Sequence, residues 1–246
     1  MEISLLTDVG QKRTNNQDYA NLFVNRAGKT LIILADGMGG HRAGNIASEM
    51  AVTDLGAAWV DTQIDSVNQV REWFAEHLEE ENQRIHQFGQ DEEYKGMGTT
   101  LEALAIIDNQ AIYAHIGDSR IGLIRGDEYR QLTNDHSLVN ALLKAGQITP
   151  EEAERHPQKN IITQSIGQKD EVQPDYGMIT LEDGDYLLLN SDGLTNMISD
   201  SEICDIVTSD INLSEKTQTL IRFANNAGGL DNITVALVRF DKEDKA

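Results

Sequence analysis

Leu31-Ile32-Ile33-Leu34-Ala35-Asp36-Gly37-Met38-Gly39-Gly40-His41 is the stretch around which the rest of the chain is arranged. A continuous apolar run of this length reads as a buried strand, and it ends on a carboxylate followed by glycines and then a helical pattern. Asp36 is therefore expected at the mouth of a strand, on stiff scaffold, beside backbone that a ligand can approach closely. The same grammar recurs at Leu187-Leu188-Leu189-Asn190-Ser191-Asp192-Gly193, and Gly229-Leu230-Asp231-Asn232 sets an aspartate just ahead of the apolar run from Ile233. Asp-Gly is among the commonest turn dipeptides, and any one of these aspartates alone reads as a turn. Together, beside more glycine than a turn requires, they point to a metal site. Two carboxylates about 4 Å apart repel by roughly 4 kcal/mol at an effective dielectric of about 20, which a divalent cation would offset. Carboxylates without Cys or His neighbours suit Mg²⁺ or Mn²⁺, and sometimes Ca²⁺, rather than Zn²⁺.

Outward from this stretch, residues 3–6 read as a first strand, and 19–24 with 31–35 as a hairpin. Helical spacing places helices over residues 46–58 and 67–88, the second closed by Gly89. His77 and His86 lie on that second helix, nine residues apart and without ligand spacing, and read as surface residues. Strands are expected over 101–107, 111–116, 121–125 and 129–132. Gly117-Asp118-Ser119-Arg120 interrupts this β run, either as a mid-sheet bulge or as a place where something approaches the backbone. Residues 176–181 and 186–189 read as another hairpin, turning at Asp183-Gly184 and delivering Asp192. Thr149-Pro150-Glu151-Glu152 and Ser199-Asp200-Ser201-Glu202 are capping boxes that start helices, and the last helix is expected over 214–227. The polar stretch 145–169 reads as a flap over a site, and the charged tail 241–246 as frayed. Hairpins outnumber β-α-β units, and helices come in adjacent pairs that must each cover a sheet face. Both demands are met by an α+β, four-layer α-β-β-α sandwich of two antiparallel sheets flanked by helix pairs.

The 246 residues, 39% hydrophobic and with only 3 prolines, contain no linker-like stretch and read as a single domain. Cys204, the sole cysteine, sits in a helical pattern and reads as a core thiol; no disulfide can form within the chain, which fits a reducing compartment. No apolar run approaches a membrane span, no signal peptide is evident, and a cytoplasmic location is expected. Lys and Arg number 20 against 41 Asp and Glu, a formal charge of −21. Such a field repels nucleic acid and anionic membrane surfaces, so neither is expected as a partner, and any phosphate-binding site needs locally concentrated cation. Arg13, close ahead of Asp18, carries the planar fork suited to phosphate.

Several chemistries fail on spacing. In G-x-G-x-x-G the third glycine would fall on Arg42, and Walker-type, EF-hand, G-x-S-x-G and H-E-x-x-H patterns do not occur. The motifs that do occur, in order, are Arg13-Thr14-Asn15-Asn16-Gln17-Asp18, Asp36-Gly37-Met38-Gly39-Gly40-His41, Gly98-Thr99-Thr100, Gly117-Asp118-Ser119-Arg120, Asp135-His136-Ser137, Ser191-Asp192-Gly193 and Asp231-Asn232-Ile233-Thr234. In this order, and over nearly the whole chain, the sequence resembles the bacterial metal-dependent protein phosphatases of the 2C type. The resemblance implies the same sandwich and hydrolysis of protein phosphoserine and phosphothreonine by a water bridging two Mn²⁺ or Mg²⁺ ions. Carried over by position, Asp36 would bridge the ions, Asp192 and Asp231 would complete one, and the Gly37 carbonyl would serve the other. Asp18 would orient metal waters, Arg13 would hold the phosphate, and Asp118 would help bind a third, weaker ion. Met38 stands where animal relatives carry a histidine thought to protonate the leaving group, and His41 is not at the matching position, so a metal-bound water is the expected acid. Phosphorylated proteins and a Ser/Thr protein kinase with opposing action are the implied partners, and a monomer is expected. The alternative is a noncatalytic metal- or phosphoprotein-binding signalling module, which retention of the core aspartates and Arg13 disfavours.

Overall fold

The computed structural model describes residues 1–39 and 43–242, so His41 and the last residues of the tail lie outside the described residues. One antiparallel sheet runs in the order β1 (Glu2–Asp8), β11 (Ile233–Arg239), β10 (Tyr186–Asn190), β7 (Arg120–Arg125), β8 (Glu128–Gln131). The second runs β2 (Asp18–Val24), β3 (Thr30–Met38), β5 (Leu101–Ile107), β6 (Gln110–Ile116), β9 (Asp175–Thr180), and the short β4 (Gly98–Thr99) pairs with the end of β3. Helices α1 (Ala43–Val60) and α2 (Val67–Phe88) cover the second sheet; α6 (Asp200–Thr208) and α7 (Leu213–Asn226) cover the first.

The unbroken apolar run on β3 follows from its place in the middle of this stack. Ile32 and Leu34 point into the layer between the sheets, with Leu104, Leu123, Leu189 and Val238, whereas Leu31, Ile33 and Ala35 point outward beneath α1 and α2. A strand buried on both faces has no reason to alternate with polar residues. Small residues on α1 let it lie close to the sheet: at Gly56 a Cβ would sit 2.0 Å from the Phe23 ring.

The chain crosses between the sheets at two places where the sequence reads as continuous β structure. Strands β9 and β10 do not form a hairpin; β9 pairs with β6 in the second sheet and β10 with β7 and β11 in the first. The connector between them is anchored at the sheet ends, by Leu181 N–H on Asn109 O (2.8 Å) and Gly184 N–H on Phe240 O (2.9 Å). Likewise Gly117-Asp118-Ser119 is no bulge: it carries the chain from β6 in one sheet to β7 in the other. Period-2 patterning reports that a strand has an inside face, not which neighbour it pairs with, so both crossovers were invisible to it.

Both capping boxes form as expected, opening α4 (Pro150–Glu154) and α6, and a third that the sequence reading passed over, Asn212 with Glu215, opens α7. His77 and His86 are half-buried rather than on the surface: His77 stacks on Trp73 with ring centroids 4.6 Å apart, and His86 Nδ1 lies 3.2 Å from Gly167 O. Between α3 (Leu138–Lys144) and β9 the chain makes a long excursion. Its return leg is fastened to α2 by Asn82, which accepts from Gly167 N–H (2.8 Å) and donates to Asp170 O (3.2 Å).

Candidate active site

Asp18 and Asp36 are register partners across the β2–β3 pair, at the end of the second sheet. The facing end of the first sheet supplies the other carboxylates. Asp192 opens the short helix α5 (Asp192–Thr195) directly after β10, and Asp231 stands two residues before neighbouring β11. Asp118 comes from the crossover between the sheets. All the aspartates singled out by sequence are thus brought to one end of the sandwich, across the seam between its layers.

Polar side chains that flank the aspartates in the sequence motifs hold this end together. Asp18 Oδ2 accepts from Ser191 Oγ and Thr234 Oγ1, both at 2.7 Å, so a carboxylate of one sheet is gripped by hydroxyls of the other. Asn232 makes a second tie: its Oδ1 accepts from Gln17 N–H (2.9 Å), and its Nδ2 donates to Val9 O (2.9 Å) and Asn15 O (3.0 Å). The only signal for these residues was their place beside the aspartates, because their partners are remote in the chain. Glycines after two of the aspartates serve close packing. At Gly37 a Cβ would stand 2.0 Å from Gly44 O at the start of α1, and at Gly193 one would stand 1.9 Å from Asn232 O.

Electrostatically the cluster is under tension. Burial, and then the charges of Asp18, Asp192, Asp118 and Asp231, hold the Asp36 carboxyl well above the usual carboxylate range. Burial lifts Asp18 to about 7 despite the Ser191 and Thr234 hydrogen bonds that oppose it. Burial and then Asp192 lift Asp118 to about 7, and burial and then Asp231 lift Asp192 to about 6. Carboxyls so arranged ionise together at neutral pH only if positive charge is supplied among them.

The donors fit a hard divalent cation. All are oxygens, and the buried Asp18 Oδ1 and Asp192 Oδ1 have no hydrogen-bond partner, which leaves them available as ligands. Among the described residues no three Asp, Glu, His or Cys side chains close on a single point. Asp231 is turned to the rim, where its Oδ2 accepts from Arg13 Nη2 at 2.8 Å. Arg13 itself is half-exposed at the mouth. From Asp118 and Asp192 a cleft of about 670 Å³ extends beneath α3 and α4, past Asn140, Pro150 and Lys159. One wall is the Arg120–Asp135 pair, closed by hydrogen bonds of 2.7 and 3.0 Å. Met38, the last residue of β3, offers only a thioether beside this centre.

An acidic, all-oxygen centre at the seam of an α-β-β-α sandwich is suited to hold a hard divalent cation. Residues 9–234 match the family model described as protein phosphatase 2C. The chain belongs to the protein phosphatase 2C family, whose members are metal-dependent, and it is a phosphoprotein phosphatase. It is 84% identical over 244 residues to the protein phosphatase PhpP of Streptococcus pneumoniae, with 99% of each chain covered. It is 42% identical to the serine/threonine phosphatase stp of Listeria monocytogenes, over 100% of this chain and 98% of the other. The solved structure of the S. agalactiae serine/threonine phosphatase superposes with a TM-score of 0.95 at 61% identity, over 96% of this chain and 98% of that one.

Proposed function

We propose that the protein removes phosphate from phosphoserine and phosphothreonine in proteins, using two Mn²⁺ or Mg²⁺ ions, and that it opposes a Ser/Thr protein kinase in the cytoplasm, acting as a monomer. The single observation that carries this reading is the convergence of Asp18, Asp36, Asp118, Asp192 and Asp231 from both sheets, where burial and then neighbouring carboxylates raise Asp18, Asp36, Asp118 and Asp192. In this reading Asp36, Asp192, Asp231 and the Gly37 carbonyl would hold the two ions, and Asp118 would contribute to a third, weaker site. When bound, such a pair supplies an acidified water and neutralises phosphate charge.

The chain's own residues do the rest. Asp18, fixed by Ser191 and Thr234, orients water at the edge of the cluster. Arg13 is the guanidinium at the mouth, suited to two oxygens of a phosphate dianion; engaging the phosphate frees Asp231 to turn inward. The thioether of Met38 cannot donate a proton, so the leaving Ser or Thr oxygen takes its proton from water held in the site. No side-chain nucleophile is needed, and Cys204 is buried on the core-facing side of α6. The excursion 145–169 acts as a flap on the cleft, where a protein segment flanking the phosphoresidue would lie.

The deciding experiment measures phosphate release from a phosphothreonine peptide with and without Mn²⁺, for wild type and Asp192→Ala. Release that needs the metal and falls by at least about 100-fold in the variant is the expected result. A folded wild type inert with both Mn²⁺ and Mg²⁺, on the peptide and on p-nitrophenyl phosphate, would overturn the proposal in favour of a binding module.

A further inference from the structure

Thr100 and Ser119 are fully buried, and their hydroxyl oxygens lie 2.9 Å apart. Thr100 follows β4 and leads into β5; Ser119 ends the crossover that carries Asp118. Between them they touch the backbone of the site from two directions. Thr100 Oγ1 accepts the N–H of Asp36 (2.9 Å), its own N–H donates to the Asp36 carbonyl (2.9 Å), and Thr99 Oγ1 donates to the same carbonyl (3.0 Å). Both backbone groups of Asp36 are therefore held by this dipeptide. The Thr100 methyl, meanwhile, lies against Gly117, where an added Cβ would come within 2.5 Å of Thr100 Cγ2. One residue thus grips the strand of Asp36 by its hydroxyl and backs the loop of Asp118 by its methyl, and the Ser119 hydroxyl closes the bridge.

A pair that only filled space would be served as well by Val and Ala, because a buried hydroxyl is costly unless it is bonded and adds nothing to packing. A hydrogen bond adds direction, which fixes the distance between two backbone segments where apolar contact would allow sliding. We propose that Thr100 and Ser119 are positioning residues that hold Asp36 and the Asp118 crossover at one spacing, and so set how tightly the carboxylate cluster binds divalent cation. This rests on the metal-site reading above.

The test uses the full chain and the variants Thr100→Val, Ser119→Ala, Thr100→Ser and the double Thr100→Val/Ser119→Ala. Mn²⁺ binding is measured by titration calorimetry, beside the Tm of the metal-free protein and the Mn²⁺ dependence of kcat on the phosphothreonine peptide. Supporting side chains behind metal ligands typically change affinity by about 10- to 100-fold, and a loss in that range is expected for Thr100→Val and Ser119→Ala. Thr100→Ser, which keeps the hydroxyl bonds to Asp36 and Ser119 and loses only the methyl against Gly117, should lose much less Mn²⁺ affinity than Thr100→Val, and the double variant should be no worse than the poorer single one, since the two act as a unit. Unchanged affinity in both single variants, losses that multiply in the double one, or a loss in Thr100→Ser as large as that in Thr100→Val would overturn the inference. So would losses matched by a proportionate fall in the metal-free Tm, which mark a merely structural pair. Wild type that bound no Mn²⁺ would remove the metal-site reading and this inference with it; wild type and variants binding alike would remove only the inference.

Discussion

At the scale of single residues, the site's demands fall as heavily on what is missing as on what is present. Gly37 and Gly193 have no Cβ because carbonyl oxygens of another segment occupy that space. Gly193→Ala must therefore push Asn232 away, and with it the tie that Asn232 makes to Gln17, Val9 and Asn15. We expect Gly193→Ala to cost about 1–3 kcal/mol of stability by overpacking, and to lower metal-dependent phosphate release more than that loss alone explains. Thermal unfolding and peptide turnover on one preparation would check both parts; a variant with wild-type turnover would contradict this reading of the glycine. Sequence exposed Asp36, Asp192 and Asp231 because each sits at the edge of an apolar run, whereas Asp18 and Asp118 took their roles from the family resemblance. It could not assign Ser191 or Thr234, since Asp18, the carboxylate they grip, lies at the other end of the chain and no local pattern connects them.

At the scale of elements, α1 and α2 carry an unusual burden in Glu81. It is buried, its Oε1 has no hydrogen-bond partner, and burial followed by the charge of Asp54 pushes its carboxyl from an ordinary 4.5 up to about 8. The folded state thus holds this proton more tightly than the unfolded chain does. Its contribution to stability is complete below about pH 4.5 and is lost progressively as the pH rises toward 8. Glu81→Gln, which mimics the protonated form, should therefore raise Tm relative to wild type at pH 8 and have little effect near pH 4.5. Each tenfold difference in proton affinity is worth about 1.4 kcal/mol, and 1 kcal/mol moves Tm by about 2–4 °C in a chain of this size. A gain independent of pH would show that burial is not its cause. Helix ends were legible in the sequence, because a capping box is a local chemical event; both expected ones form. Strand partnership was not. The run from β9 to β10 reads as a hairpin from its alternation and its Asp-Gly turn, yet the turn carries the chain across the core instead.

For the whole molecule, the layer between the sheets is one apolar body to which both contribute, Ile32 and Leu104 from one side, Leu187 and Ala236 from the other. On the reading proposed above, cation ligands drawn from both sheets would tie the metal to this same body. Mn²⁺ at about 100 times its dissociation constant should stabilise the fold by about 2.7 kcal/mol through mass action, raising Tm by about 5–10 °C over protein in EDTA. Differential scanning fluorimetry checks this directly, and Asp192→Ala should lose most of the shift. The sandwich was legible because its demands are general: paired helices must cover sheet faces, and unbroken apolar strands must lie between layers. The charge of −21 bears on partners rather than on architecture.

The two crossovers have a wider consequence. They stitch the plates of the sandwich at opposite ends, one through Asp118 at the site and the other through the connector that leans on Asn109 and Phe240. The centre is therefore a caliper closed on the thickness of the core. A change of side-chain volume far from any ligand, at Leu104 or Leu187, alters the gap that the caliper measures. Among relatives of this chain, drift in core volume and drift in metal preference should be correlated traits, inherited together although the residues responsible never touch.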